Sequence, residues 1–143
     1  MAENKVKVLV VDDEPGALES FRMILEIKDF EVYTFSDGND ALKEAEKTNF
    51  DIAFIDFRMP KIDGIEVLKK LKQISPLTEA IIVTAYATEE SQANAITIGA
   101  MEYLRKPFLM EEIFSLCERA LRKKREKETT SKLKGGPNLE NIH

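Results

Sequence analysis

The chain of 143 residues is 43% hydrophobic and carries a formal net charge of -5 at pH 7. This length and apolar content predict one compact domain, and the acidic balance argues against a protein that coats nucleic acid. No apolar run approaches the roughly 20 residues of a membrane span, the first five residues lack the order of a signal peptide, and the single cysteine, Cys117, excludes an internal disulfide. We therefore expect a cytoplasmic protein that contacts neither a membrane nor, directly, nucleic acid.

Strand and helix patterns alternate five times along the chain. Short apolar runs predict strands over residues 5–11, 31–35, 51–55, 80–84 and 102–105. After each run, apolar residues recur at three- and four-residue spacing or residues typical of helix ends appear, which predicts a helix. Five such repeats favour a parallel sheet with helices on both faces. The segment at residues 88–98 has a thin apolar stripe and several weak helix formers, so we expect its helix to have low local stability.

Polar residues mark the ends of four of these strands. Asp12 and Asp13 follow the first strand, Asp56 follows the third, Thr84 ends the fourth and Lys106 follows the fifth. The carboxyl ends of parallel strands lie at one edge of the sheet, where ligands bind in open α/β folds. We therefore expect these side chains to converge. Taken alone, an acidic pair, a threonine or a lysine at such a position would indicate only a solvated turn or strand end.

The chemistry of such a cluster favours a metal ion and a phosphoryl group. Carboxylates a few ångströms apart repel by about 1 kcal/mol per pair even at the dielectric constant of water, so they need a cation. Oxygen ligands with room for water suit Mg²⁺, for which Mn²⁺ could substitute. Asp56 could then act as a nucleophile that forms an aspartyl phosphate. Lys106 and the Thr84 hydroxyl would stabilise the phosphoryl oxygens by charge and hydrogen bonding.

These motifs together resemble the receiver domain of bacterial two-component response regulators. The similarity runs from about Lys5 to Arg125. It rests on an ordered set of motifs, namely Val-Val-Asp-Asp-Glu at residues 10–14, Asp56 followed by Met-Pro at 59–60 and Gly64, Thr84-Ala85, and Lys106-Pro107-Phe108. The resemblance implies an α/β, flavodoxin-like, doubly wound (βα)5 fold whose five parallel strands have the order 2-1-3-4-5.

The resemblance also implies a function in two-component signal transduction. Asp56 would receive a phosphoryl group from a histidine kinase or phosphotransfer protein, so that the domain acts as a regulatory phosphoacceptor and not as an enzyme. By position, Asp13 and Asp56 would bind Mg²⁺ directly together with the backbone carbonyl of Arg58, and Asp12 would act through water. Lys106 would contact the phosphoryl group, and its peptide bond to Pro107 would be cis.

A conformational switch is implied by the same resemblance. Thr84 would move toward the phosphoryl group, and Tyr103 would rotate inward to fill the space it leaves. The surface formed by the fourth helix, the fifth strand and the last helix would change as a result, and it would bind a partner or form a homodimer. Two bulky residues, Arg58 and Tyr86, lie two positions after Asp56 and Thr84. We predict that this pair shields the aspartyl phosphate from water.

The end of the chain carries little information. We expect the receiver domain to span residues 4–126 and residues 127–143 to form a flexible tail or a linker to an absent output domain, because no apolar period follows Thr129 and Gly135-Gly136-Pro137 is typical of a linker. The preceding basic run indicates either a solvated helix end or the start of a signalling helix. His143 is the only histidine and is terminal, which argues against a histidine kinase or phosphotransfer protein.

Three other functions would use a similar fold or similar residues. A phosphatase of the haloacid dehalogenase type resembles a pattern with Asp-x-Asp after the first strand, which Asp12-Asp13-Glu14-Pro15 does not match. An FMN carrier of the flavodoxin type needs a Ser/Thr/Gly phosphate loop where this chain has carboxylates. A degenerate receiver that serves only as a binding module remains the alternative, although every expected site residue is present.

Overall fold

The computed structural model describes residues 5–135. Residues 1–4 and the part of the predicted tail at residues 136–143, with His143, lie outside this range. The strands are β1 (Lys7–Val11), β2 (Glu31–Phe35), β3 (Ile52–Asp56), β4 (Glu79–Thr84) and β5 (Glu102–Arg105). The helices are α1 (Pro15–Ile27), α2 (Gly38–Ala45), α3 (Gly64–Ile74), α4 (Glu89–Ile98) and α5 (Met110–Gly135).

All four strand pairings are parallel, and the sheet has the order β2-β1-β3-β4-β5. This order confirms the flavodoxin-like, doubly wound fold that the sequence predicted. The strands β3 and β4 are buried along their whole length, whereas every residue of the edge strand β2 is only partly buried. Strands covered on both faces need apolar residues at nearly every position, which explains why the central strands were read as continuous apolar runs.

Two hydrophobic clusters cover the two faces of the sheet. On one face, Leu9 and Ile55 pack with the buried residues of α2, α3 and α4. On the other face, Val10 and Phe54 pack with those of α1 and α5. The thiol of Cys117 belongs to the second cluster, and burial raises its pKa to about 12. A packed, unreactive cysteine agrees with its place on the apolar stripe of the last helix.

The helix α4 is anchored less firmly than its neighbours. Ala95 is its buried residue, whereas α3 buries Gly64, Val67, Leu68 and Leu71. A capping box formed by Thr88 and Ser91 satisfies backbone donors at its first turn. The helix therefore depends on this cap more than on apolar burial, as its thin apolar stripe predicted.

The helix α5 extends farther than the sequence predicted. It continues to Gly135, so residues 127–135 are helical where we expected a flexible tail or a linker. An ion pair between Lys124 and Glu128, four residues apart, supports the helix at the start of this extension. Within residues 5–135, no helix combines the length and the apolar character needed to cross a membrane.

A glycine fixes the turn that follows β3. Gly64 begins α3 against the backbone of Asp56, and a Cβ at this position would collide with the Asp56 carbonyl oxygen and lie 2.9 Å from Cα of Phe57. The Gly64 amide donates to the Phe57 carbonyl at 3.0 Å. Asp63 caps the helix by accepting from the Glu66 amide at 2.9 Å. The close approach of α3 to the end of β3 therefore requires glycine.

Replacement of Gly64 by alanine should destabilise the protein by about 2–4 kcal/mol, because the backbone of Asp56 has to shift to accommodate a methyl group. The matched control is Gly16→Ala in α1, where an added Cβ meets no atom within 4 Å. We expect that control to leave stability unchanged or to raise it by up to about 1 kcal/mol. Urea denaturation of both variants measures the difference, and equal stabilities would contradict the account.

Candidate functional site

Three carboxylates meet at the carboxyl edge of the sheet. One oxygen each of Asp12, Asp13 and Asp56 lies within 4.8 Å of the other two. Asp12 is 1% exposed and Asp56 is 7% exposed, whereas Asp13 faces solvent. The parallel register explains the convergence, because Val11 pairs with Ile55 and thereby aligns the ends of β1 and β3. The sequence-based expectation that these side chains come together is confirmed.

A lysine from the end of β5 lies between these carboxylates. Nζ of Lys106 is 2.9 Å from Oδ2 of Asp12, 3.2 Å from Oδ1 of Asp56 and 3.3 Å from Oε1 of Glu14. Its backbone amide donates to the Thr84 carbonyl at 2.8 Å, and its peptide bond to Pro107 is cis. Burial opposes the charge of Lys106, but the hydrogen bond and attraction to Asp12, with those to Asp56, raise its pKa above the ordinary value.

The sequence analysis did not include Glu14 among the site residues. Its side chain is 70% exposed but ion-pairs with Lys106, and its backbone amide donates to Oδ1 of Asp12 at 3.0 Å. The signal was present in the sequence, because Glu14 directly follows the acidic pair. Lys106 therefore pairs with three carboxylates, those of Asp12, Glu14 and Asp56.

The protonation of Asp56 reflects this crowding. The pKa of Asp56 is raised to about 6. Burial is the largest cause and the negative charges of Asp12 and Asp13 act in the same direction, whereas the positive charge of Lys106 opposes the rise. The all-oxygen donor set, with one exposed carboxylate that leaves room for water, is the kind that Mg²⁺ prefers. Excess negative charge and oxygen ligands together fit a divalent cation at this edge of the sheet.

Thr84 and Tyr103 belong to the adjacent strands β4 and β5. Thr84 ends β4, is 2% exposed and accepts the Tyr86 amide through its hydroxyl at 3.0 Å. Tyr103 is 7% exposed, and its hydroxyl lies 2.6 Å from Oγ of Ser91 in the cap of α4. The side chain of Tyr103 therefore points inward and is joined to the first turn of α4. The sequence analysis missed Ser91, although the spacing of Thr88 and Ser91 is that of a helix cap.

The pair that we predicted to flank the site is in contact. The guanidinium carbon of Arg58 lies 5.0 Å from the ring centroid of Tyr86. Both side chains are exposed, with Tyr86 at 66%. This cation–π contact bridges the loop after β3 and the loop after β4. The loops that follow Asp56 and Thr84 are thus linked at the surface.

Comparison with known proteins identifies relatives of this arrangement. A family model described as the response regulator receiver domain matches residues 8–118. The alkaline phosphatase synthesis transcriptional regulatory protein PhoP of Bacillus subtilis is 37% identical over 117 residues, which cover 82% of this chain and 49% of that protein. The regulatory protein AtoC of Escherichia coli is 33% identical over 115 residues, which cover 80% of this chain and 25% of that protein. The chain thus spans half or less of the length of these relatives.

Solved structures agree with the sequence relatives. A CheY-like response regulator receiver domain protein from Methanospirillum hungatei superposes with a TM-score of 0.83 at 27% identity, covering 87% of this chain and 99% of that one. A response regulator receiver domain protein from Clostridium thermocellum has a TM-score of 0.79 at 34% identity, covering 84% of this chain and 97% of that one. The described fold therefore aligns with nearly the whole length of both of these structures.

The raised pKa of Asp56 predicts that Asp56→Asn stabilises the metal-free protein. The pKa is about 6 in the folded state against an ordinary value of 3.8, so the folded state binds this proton more tightly and stability falls as pH rises from about 4 to 6. We expect a gain of about 1–3 kcal/mol at pH 8 and about half of it at pH 5.

Urea denaturation with a chelator at pH 5 and pH 8 measures this gain. Saturating Mg²⁺ should stabilise the unmodified protein more than Asp56→Asn. The difference between their free energies of unfolding should therefore become smaller. A gain that is the same at both pH values would contradict the assignment of a buried, charge-crowded carboxylate.

Proposed function

The chain belongs to the family of response regulator receiver domains, and from that premise we propose that it is a phosphoacceptor switch of a two-component system. A histidine kinase or phosphotransfer protein supplies the phosphoryl group from a phosphohistidine, and an oxygen of Asp56 accepts it. The observation that carries the proposal is the meeting of Asp56, two further aspartates and Lys106 at the end of β3. The domain is a regulatory acceptor that turns over only its own phosphoryl group.

Each site residue has a role in this proposal. Asp13, Asp56 and the backbone carbonyl of Arg58 hold Mg²⁺ or Mn²⁺ directly, and Asp12 acts through water. A divalent cation held by these residues would supply positive charge to the carboxylates and to the phosphoryl oxygens. The fit rests on the oxygen donors of the carboxylate cluster and on its excess of negative charge.

Lys106 and Thr84 stabilise the transferred group. Lys106 already lies 3.2 Å from Oδ1 of Asp56, so its ammonium is close to any oxygen attached there. Thr84, which carries the hydroxyl, is the last residue of the adjacent strand β4. A pKa of about 6 leaves Asp56 mainly ionised at pH 7, as a nucleophile requires. The Asp56 oxygen forms the bond to phosphorus while the bond to the kinase histidine breaks.

The response reaches the surface through Thr84 and Tyr103. When Thr84 turns toward the phosphoryl group, the space it leaves alters the packing of Tyr103, whose hydroxyl contacts Ser91 at the cap of α4. The scarcity of buried residues in α4 makes this helix easy to shift. The face formed by α4, β5 and α5 then controls an output partner or domain, or forms a homodimer, and any nucleic acid is bound by a part outside this domain. We place the protein in the cytoplasm.

Intact-mass spectrometry after incubation with Mg²⁺ and acetyl phosphate tests this proposal, with Asp56→Asn as the matched control. We expect one added phosphoryl group that requires Mg²⁺ and is absent from the variant. Folded protein that gains no adduct, from acetyl phosphate or from a phosphorylated kinase, would instead identify a binding module that keeps the motif without the chemistry.

The contact between Arg58 and Tyr86 predicts a longer phosphoryl lifetime than the chain would have without it. If the pair excludes water from the acyl phosphate, Arg58→Ala should speed dephosphorylation by about two- to fivefold, the rate effect of losing an exposed cation–π contact. Lys61→Ala is the control, because it removes a cation of the same loop that pairs with Asp37 and not with Tyr86. Loss of phosphate at an unchanged or slower rate in Arg58→Ala would defeat the shielding role.

A further inference from the structure

Two ion pairs join the C-terminal part of α5 to the amino edge of the sheet, opposite the carboxylate cluster. Nζ of Lys124 lies 3.3 Å from Oδ1 of Asp51, the residue that directly precedes β3. Nζ of Lys127 lies 2.7 Å from Oε2 of Glu79, the first residue of β4. One helix is thus attached to the starts of two central strands.

The burial of Glu79 makes the second pair the more consequential. Its side chain is 3% exposed, and Oε2 lacks a well-oriented hydrogen bond within the described part of the chain. Lys72 lies nearby, but its Nζ donates to the carbonyls of Pro76 and Thr78 at 3.0 and 2.8 Å. A buried carboxylate is costly unless a cation compensates it. Lys127 is therefore the cation in direct contact with the buried Glu79 carboxylate, and Lys72 adds a charge–charge attraction to it.

The first pair is also built into the fold. Oδ2 of Asp51 accepts the backbone amide of Lys7 at 2.9 Å, which fixes the carboxylate against the start of β1. The side chain of Lys124 is only 18% exposed and also contacts Glu128 at 2.7 Å. Asp51 thus connects β1, β3 and α5 at one point.

We propose that Lys124 and Lys127 clamp the extension of α5 to the amino ends of β3 and β4, so that residues 121–135 continue the domain as a rigid arm. The same two strands carry Asp56 and Thr84 at their opposite ends. The arm therefore has a fixed direction relative to the carboxylate cluster. The clamp needs no phosphoryl group, so this inference goes beyond the proposed function.

Hydrogen exchange measured by mass spectrometry on the full chain tests the arm. We expect Lys124→Met/Lys127→Met to raise exchange in peptides covering residues 121–135 by about tenfold or more, because both anchors are lost while helix propensity is kept. The matched control is Lys123→Met/Arg125→Met, which removes the same charge from exposed positions of the same turns. Equal exchange in the two double variants, or no change in either, would overturn the clamp.

A charge-rescue experiment tests the pair of Lys127 and Glu79 separately. Lys127→Met should raise the unfolding equilibrium constant by at least about tenfold, because it removes the cation in direct contact with a buried carboxylate. Adding Glu79→Gln to that variant should restore most of the loss, since the amide carries no charge. Urea denaturation gives both values. A single variant as stable as the parent, or a double variant no more stable than the single one, would show that the ion pair does not hold the helix.

Discussion

The mutual repulsion of carboxylates at the carboxyl edge of the sheet is the constraint on which the site depends. Asp12 and Asp56 are both buried, and within residues 5–135 Lys106 is the cation that pairs with them, at 2.9 and 3.2 Å. The folded state accepts this unfavourable arrangement because two apolar clusters, one on each face of the sheet, fix the strand ends. An excess of negative charge and oxygen ligands, held in place by a rigid core, fits a divalent cation at this edge of the sheet. The proposed function therefore depends on the electrostatic repulsion among these carboxylates.

The central strands are well buried, whereas the helix α4 has few buried residues. The strands β3 and β4 are buried throughout and position Asp56 and Thr84, whereas α4 relies on its N-terminal cap and one buried alanine. Tyr103 connects the two regions, since it belongs to the core and its hydroxyl reaches Ser91 in that cap. A change at a rigid site can therefore alter a weakly held surface without disturbing the sheet. The arm of α5 adds a third region, held at the amino edge by charge.

The fold and the meeting of the carboxylates with Lys106 could be predicted from sequence because a parallel sheet leaves few choices. Continuous apolar runs specify central strands, and polar residues at their ends must share one edge. Contacts made by side chains from distant turns could not be predicted. The sequence places Glu14 directly after the acidic pair, but it does not show that Glu14 reaches Lys106. Nor does it show that Ser91 contacts Tyr103 or that Lys127 pairs with Glu79, because these contacts depend on how helices pack. The basic run in α5 was for this reason read as a solvated end or the start of a signalling helix, with no partner for its lysines.

The central claim is that Asp56 itself, and no other carboxylate of the cluster, receives the phosphoryl group. Reductive trapping tests it most directly, because borohydride converts an acyl phosphate of aspartate to homoserine and so marks the acceptor in a peptide map. After incubation with acetyl phosphate and Mg²⁺, the account predicts homoserine at position 56 and nowhere else, with none formed when a chelator removes the metal. Homoserine at position 12 or 13, or at position 56 without Mg²⁺, would contradict it.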